Sequence, residues 1–336
     1  YKVALDKKKV AAASWKKKKD EWAAANPDLD KKLASFWSGT MPDIDFSAIQ
    51  QKEGSATRAA SAAVLGVLAK SIENMVVASA DLSNSDKTDG FLKNTKAFKK
   101  GDFSGAFLQM GVAELTMATV MNGMALHGGI IPACGTFFVF SDYMKPAVRL
   151  ACLMELPVVY IWTHDAFRVG EDGPTHQPVE QEAQIRLMEH LKNHHGNNSM
   201  VVLRPSDGIE TSVAWKIALE NRKTPTALIL SRQNIKDLPS ENGNRFNDAL
   251  KAEKGAYIVA DSKGKPEVIL LASGSEVATL VEGAVLLKND NINLRIVAAP
   301  SEGLFRNQPE EYRESVLPSG VPVFGMTAGL SVTLQG

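Results

Sequence analysis

The chain has 336 residues, 44% of them hydrophobic, and 38 lysines plus arginines balance 38 aspartates plus glutamates. That length predicts two or more domains. The absence of net charge argues against a nucleic-acid or anionic-membrane partner, and no apolar run is long enough to cross a bilayer.

Residues 1–52 differ from the rest. Lys7 to Lys9 and Lys16 to Lys19 alternate with alanines and Trp15, and Trp22, Phe36 and Trp37 follow among charged residues. The pattern predicts helices lying on a larger body, with the tryptophans as anchors. The lysines read as a solvated helix face in preference to a phosphate or nucleic-acid contact. No apolar signal core follows them.

From 53 to 240 helices and strands alternate. Thr57 is the expected N-cap of an alanine-rich helix running to Lys70. A strand over 75–78 and a Ser/Asn/Asp-rich loop over 79–89 follow. A helix over 114–127 is stopped by Gly128-Gly129. Then come a strand and its exit over 130–139, a helix over 143–154 and a strand over 158–163. A helix over 179–190, a strand over 200–203, a helix over 207–220 and a strand over 226–230 complete the set. Such alternation predicts an α/β fold, a parallel sheet with helices on both faces.

Residues 234–254 are polar and turn-rich and read as a linker. A second, smaller α/β domain is expected over 241–336. Its strands lie near 257–259, 268–271, 294–297 and 321–324, with a helix over 276–287. With no closing helix after the last strand, this domain is expected to be incomplete. Cys134 and Cys152 sit in apolar surroundings without metal-ligand spacing, which predicts buried free thiols and a reducing, cytoplasmic compartment.

The densest chemistry lies in residues 163–178, where His164, Asp165, Glu171, Asp172 and His176 surround a Gly-Pro turn. This segment leaves the carboxyl end of the apolar strand over 158–163, the edge at which ligands bind in α/β sheets. His164 with Asp165 fits either a satisfied strand-end histidine or half of a metal site. Glu114, in the first turn of its helix, complements the helix dipole or serves as a site acid. Phe137, Phe138, Phe140 and Tyr143 read as core packing. Arg232, after the strand over 226–230, is suited to bind an anion or cap a carbonyl. His194 and His195 read as a surface loop.

Five motifs stand in order: Ser79-Ala80-Asp81-Leu82, Met121-Asn122-Gly123 through His127-Gly128-Gly129, Thr136-Phe137-Phe138-Val139-Phe140, Gly170-Glu171-Asp172-Gly173-Pro174-Thr175-His176-Gln177-Pro178 and Ser231-Arg232-Gln233-Asn234. Together they resemble the second half of transketolase, from about residue 20 onward. The resemblance implies a pyrimidine-binding thiamine-diphosphate domain over 53–240, a linker over 1–52 and a partial C-terminal domain over 241–336. It implies reversible transfer of a two-carbon ketol unit between sugar phosphates, in the pentose phosphate pathway.

By the same resemblance, Glu114 is the acid on the aminopyrimidine ring of thiamine diphosphate. Phe137, Phe140 and Tyr143 form the wall on which that ring packs, and Asp81 lies near the cofactor. His164 and His176 bind and polarise the sugar, and Asp172 reads a hydroxyl. Arg58, Ser85 and Arg232 take the substrate phosphate. A homodimer is implied as well.

Ala113 and Leu115 depart from the Arg and the aromatic or His common beside that glutamate, and Val77-Ala78 stands where Gly-Gly is usual. The Gly-Asp-Gly…Asn motif that holds the diphosphate and its Mg2+ or Ca2+ is not found. Thr88-Asp89-Gly90 and Glu171-Asp172-Gly173 lack its strand-and-helix context. The diphosphate-binding domain is therefore expected outside this chain, as the rest of a longer protein or as a separate subunit. Alternatives are a non-catalytic partner subunit, a related thiamine-dependent synthase and, more remotely, a metallohydrolase using His164 and His176.

Overall fold

The computed structural model describes residues 1–166, 168–240 and 243–334. Among these residues, β1 (Met75–Ser79), β2 (Phe107–Gln109), β3 (Ile131–Phe137), β4 (Val159–Thr163), β5 (Val201–Leu203) and β6 (Thr226–Leu230) form one sheet, ordered β2-β1-β3-β4-β6-β5. All its pairings are parallel. Strands β3, β4 and β6 are buried along their whole length, as their unbroken apolar runs require of a sheet covered on both faces.

Helices α1 (Lys2–Ala25) and α2 (Pro27–Ser38) precede this sheet. Then α3 (Thr57–Ser71), α4 (Ser83–Asp86), α5 (Asp89–Leu92), α6 (Glu114–His127), α7 (Ser141–Leu153), α8 (Gln181–His190) and α9 (Gly208–Glu220) are threaded between its strands. The apolar residues of α3 and α9 share one core with one face of the sheet, and those of α6 and α7 share a second with the other.

The second sheet contains β7 (Tyr257–Ala260), β8 (Val268–Ala272), β9 (Leu294–Ala298) and β10 (Val323–Met326), in the order β10-β8-β9-β7 with β7 antiparallel. It carries α10 (Arg245–Ala249), α11 (Glu276–Asn289), α12 (Glu302–Arg306) and α13 (Glu310–Val316).

Several local expectations give way to tertiary contacts. Thr57 is the first residue of α3 and not its cap, because its hydroxyl is engaged by Ser231. The 79–89 loop contains the short helices α4 and α5. Strand β2 has no counterpart in the sequence reading, since three residues are too few to show a period.

The 234–254 linker is tied down. The Asp207 carboxylate caps α9 and accepts from Leu238 N (3.1 Å) and Arg245 Nε (2.7 Å), and Arg245 donates on to the Tyr257 hydroxyl. Glu241 and Asn242, inside that stretch, lie outside the described residues.

The tryptophans divide. Trp37 stands over Gly129, where an added Cβ would come within 2.9 Å of its ring and where φ is +75°, so both space and backbone call for glycine. Trp37 is nonetheless exposed, as are Trp15 and Trp22, and no residue of α1 is buried. This helix leans on α2 through Lys19 and Asp30 and does not lie on the body. Lys7 to Lys9 and Lys16 to Lys18 are solvated.

The two sheets meet across a buried ion cluster that no local pattern announces. Arg204, just after β5, donates to Asp165 (2.9 Å) from the exit of β4, and reaches Glu276 (2.7 Å) at the start of α11 and the Ser273 carbonyl. Ser275 also donates to Asp165 (2.8 Å), and Glu182 lies 3.7 Å from Arg204. Burial pulls the Arg204 guanidinium down, but Glu276, Glu182 and Asp165 outweigh it and hold it above its ordinary value. Burial lifts the Asp165 and Glu276 carboxyls, which share that one cation. For Glu182 burial acts in the same sense, but Arg204 and Arg186 together hold it below.

Removing the guanidinium would strand Asp165 and Glu276 in the interior, while Glu182 would keep Arg186. Arg204→Met is therefore expected to cost about 3–5 kcal/mol in urea unfolding. A loss within about 1 kcal/mol would mean that the cluster does not hold the domains together.

Candidate active site

Strands β1, β3, β4 and β6 are neighbours, and the chemistry leaves their carboxyl ends. β1 continues to β2 on one side and β3 returns on the other, and it is at such a change of strand order that ligands bind in α/β sheets. Ser79-Ala80-Asp81 exits β1, Phe137 ends β3, His164 follows β4 and Arg232 follows β6. Asp81 and His164 hold left-handed backbones, with φ of 65° and 64°, which are costly conformations for residues with a Cβ.

His164 is the centre of contacts. Its ring lies 3.8 Å from that of Phe137, centroid to centroid. Thr163 Oγ1 is 2.9 Å from Nδ1, Arg58 Nη1 is 3.5 Å from Nε2, and Asp172 Oδ2 is 3.6 Å from Nε2. Burial, then Arg58, Arg232 and His176, push its pKa down to about 3, so the imidazole is neutral at physiological pH. Arg58 can only donate, so in that contact Nε2 accepts and the ring proton sits on Nδ1, facing Thr163 Oγ1.

Asp172 Oδ2 is buried and also lies 3.1 Å from Arg232 Nε, yet it has no aligned hydrogen-bond donor. It can accept from a ligand hydroxyl. Arg232 also pairs with Glu171 at the exposed rim. Arg58 Nη1 donates to the Ser85 carbonyl (2.7 Å), and burial lowers its guanidinium below the ordinary value.

The aromatic stripe splits by contact. Phe138 is core, 5.8 Å from Trp162, as core packing requires. Phe137 and Phe140 stack at 5.9 Å, His176 meets both edge-on, and Tyr143 lies 6.0 Å from Phe140 and is exposed. These three rings form a ledge open on one side. Glu114 is buried in the first turn of α6 and receives a single long hydrogen bond, 3.4 Å, from Thr136 beside Phe137.

A buried acid with spare acceptor capacity, beside a half-open aromatic ledge, fits a flat nitrogen heterocycle such as an aminopyrimidine. Among the described residues, Glu114 joins the ledge through Thr136, and Asp81 makes no side-chain hydrogen bond to the other candidate site residues. Leu115 is exposed beside Glu114 and Ala113 is half-buried.

One alternative from the sequence falls away. Asp165 turns from His164 into the Arg204 cluster, so the pair is not a metal half-site. Among the described residues, no group of three His, Cys, Asp or Glu is arranged to hold a metal ion. His195 is an exposed loop residue partnered by Glu155 at 2.7 Å. Cys134 and Cys152 are buried free thiols.

The chain matches the family model of the transketolase pyrimidine-binding domain over residues 53–237, and that of the transketolase-like C-terminal domain over 255–336. The chain belongs to the transketolase family. It is 44% identical to the transketolase of Bacillus subtilis over 319 residues, covering 92% of this chain and 46% of that one. The transketolase structure from Leishmania mexicana superposes with a TM-score of 0.86 at 37% identity, over 98% of this chain and 47% of that one. The chain thus spans about half the length of the transketolases it matches. A structure described as a split-gene transketolase, an inactive β4 tetramer, superposes with a TM-score of 0.61 at 28% identity, over 81% of this chain and 80% of that one.

One site feature escaped the sequence reading. Asp86, next to Ser85, is buried and receives Ser79 Oγ (2.6 Å), Thr88 N (2.9 Å) and Thr88 Oγ1 (2.7 Å). Gly135 in β3 makes room for this turn, since a Cβ there would come 2.6 Å from Thr88 Cγ2. Burial, opposed by those hydrogen bonds, raises the Asp86 pKa from 3.8 to about 6.

A raised carboxyl contributes stability that is present below pH 3.8 and lost as pH rises through about 6. The stability difference between the wild type and Asp86→Asn should therefore shrink over that interval, by about 3 kcal/mol at most. Urea unfolding at several pH values reads this difference. A gap that widens with pH would mean the hydrogen bonds outweigh the burial.

Proposed function

We propose that this chain supplies the pyrimidine side of a transketolase active site and, together with a diphosphate-binding domain, catalyses reversible transfer of a two-carbon ketol unit from a ketose phosphate to an aldose phosphate. One observation carries the reading. A buried acid, an aromatic ledge and a two-arginine cluster with an unsatisfied carboxylate oxygen converge at the carboxyl ends of neighbouring strands.

Glu114 would hold the aminopyrimidine of thiamine diphosphate through a proton shared at its carboxyl oxygen, with the ring against Phe137, Phe140 and Tyr143. When bound, thiamine diphosphate supplies the nucleophilic carbon that accepts and hands on the ketol unit. His164, neutral and with Arg58 at its Nε2, would bind and polarise a sugar hydroxyl or carbonyl, and His176 supports it from the ledge. Asp172 Oδ2 accepts from a sugar hydroxyl and so reads its configuration. Arg58 and Arg232, with Ser85, take the phosphate, a dianion suited to forked donors. Asp81 stands at the cofactor side.

The same reading assigns residues 1–52 to a linker, 53–240 to the pyrimidine domain and 241–336 to the C-terminal domain. It assigns the protein to the pentose phosphate pathway in the cytoplasm, as a homodimer, with Mg2+ or Ca2+ held by the diphosphate-binding domain. No helix among the described residues is long and apolar enough to cross a membrane. A second reading, a subunit of a split enzyme, is favoured by the match to most of the split-gene chain. Mixing this chain with a separately made diphosphate-binding half and assaying ketol transfer tests both readings.

In the complete enzyme, Glu114→Ala is expected to lower kcat by about a thousandfold or more with the fold intact by circular dichroism. Turnover like that of the wild type would remove Glu114 from the chemistry. Arg232→Ala is expected to raise KM for phosphorylated sugars at least about tenfold and to leave unphosphorylated donors nearly unaffected. An equal effect on both would take Arg232 out of the phosphate site.

A further inference from the structure

The two arginines of the proposed phosphate site come from segments far apart in the chain, and each is preceded by a small hydroxyl residue. Thr57 precedes Arg58 and Ser231 precedes Arg232. Those two residues, 174 positions apart, bond reciprocally. Thr57 N donates to Ser231 Oγ (3.0 Å), Ser231 N donates to Thr57 Oγ1 (2.7 Å), and the two hydroxyls lie 3.2 Å apart. Arg58 N donates to the Ser231 carbonyl at 3.4 Å, and Ser231 Oγ donates on to Gln233 O at 3.0 Å. Both residues are fully buried, so no solvent competes for these bonds.

We infer that Thr57 and Ser231 form a positioning clasp that holds Arg58 and Arg232 in register as a single phosphate-binding site, an inference that rests on the ketol-transfer reading above. The first turn of α3 would otherwise carry an orphan N–H at Thr57, buried away from water. Here the acceptor is the residue beside the second arginine. The clasp fixes the two backbones from which the guanidinium side chains start. Their far ends are held by other groups: Ser85 O for Arg58, and Glu171 and Asp172 for Arg232. A long, rotamer-rich side chain binds an anion at low entropic cost only when its base is fixed. Neither hydroxyl reaches the site itself, since each is spent inside the clasp.

The test uses the enzyme completed with its diphosphate-binding domain. Thr57→Val keeps the shape and removes the hydroxyl. KM for a ketose phosphate is expected to rise about fivefold or more, the size of one lost buried hydrogen bond. KM for an unphosphorylated donor should stay within about twofold, with kcat retained. Inhibition by inorganic phosphate should weaken in parallel. Thr57→Ser, which retains the hydroxyl, should restore both.

A variant that loses stability while both KM values stay equal to the wild type, or rise together, overturns the clasp and leaves a plain structural staple. If Thr57→Val does not fold, Ser231→Ala carries the same comparison, because it retains the bond from Ser231 N to Thr57 Oγ1. Arg232→Ala separates the two levels of the argument. Loss of the phosphate-specific effect in that variant sinks the parent reading. Its presence there, with no effect in the clasp variants, sinks the clasp alone.

Discussion

The guanidinium of Arg204 carries a constraint that most of the molecule obeys. It leaves the carboxyl end of β5 in the first sheet, is wrapped by the turn after β8 in the second, and binds Asp165, the residue immediately after His164. A buried cation of this kind tolerates little rearrangement, since moving any one carboxylate away leaves a charge without solvent. The two domains are therefore fixed to each other at the strand edge where the site opens. The backbone turn that presents His164 is gripped from behind by the domain that holds none of the candidate site residues.

From that grip the rest of the site follows geometrically. Parallel strands deliver their carboxyl ends to one side, and their order brings the exits of β1, β3, β4 and β6 side by side. Backbone strain concentrates at the same edge, at Asp81 and His164, where the surrounding bonds hold conformations these residues would otherwise avoid. Burial then sets the electrostatics. It keeps His164 neutral among two guanidiniums and leaves one Asp172 oxygen without a donor.

The sequence made the alternation of helices and strands legible, and with it the parallel sheet, because apolar runs such as those of β4 and β6 have few other uses. It also made legible the loop from Gly170 to Pro178, where ionisable residues crowd between glycines. Interactions between residues distant in the chain were not legible. Nothing in Arg-Pro-Ser-Asp announces that Arg204 joins two domains, and Thr57 has the local signature of a cap although Ser231 claims its hydroxyl. Asp86 read as one more acid in a polar loop, because burial is decided by how β3 packs, at Gly135, and not by its neighbours in sequence. The tryptophans misled for a related reason. Aromatic content suggests anchoring, but Trp15 and Trp22 stay exposed on α1, and Trp37 meets Gly129 while staying exposed itself.

The ion pair between Glu171 and Arg232 at the rim has a consequence for selectivity among anions. Arg232 already has a carboxylate partner, so on the phosphate-site reading proposed above an incoming anion competes with Glu171 for that guanidinium. Chloride or a carboxylate offers one charge for another and gains little by the exchange. A phosphate monoester brings a second charge and three acceptor oxygens, and it can engage Arg58 at the same time. The resident acid thus acts as a threshold. On that reading it would weigh against small singly charged anions and leave the site responsive to a ligand that carries a phosphate.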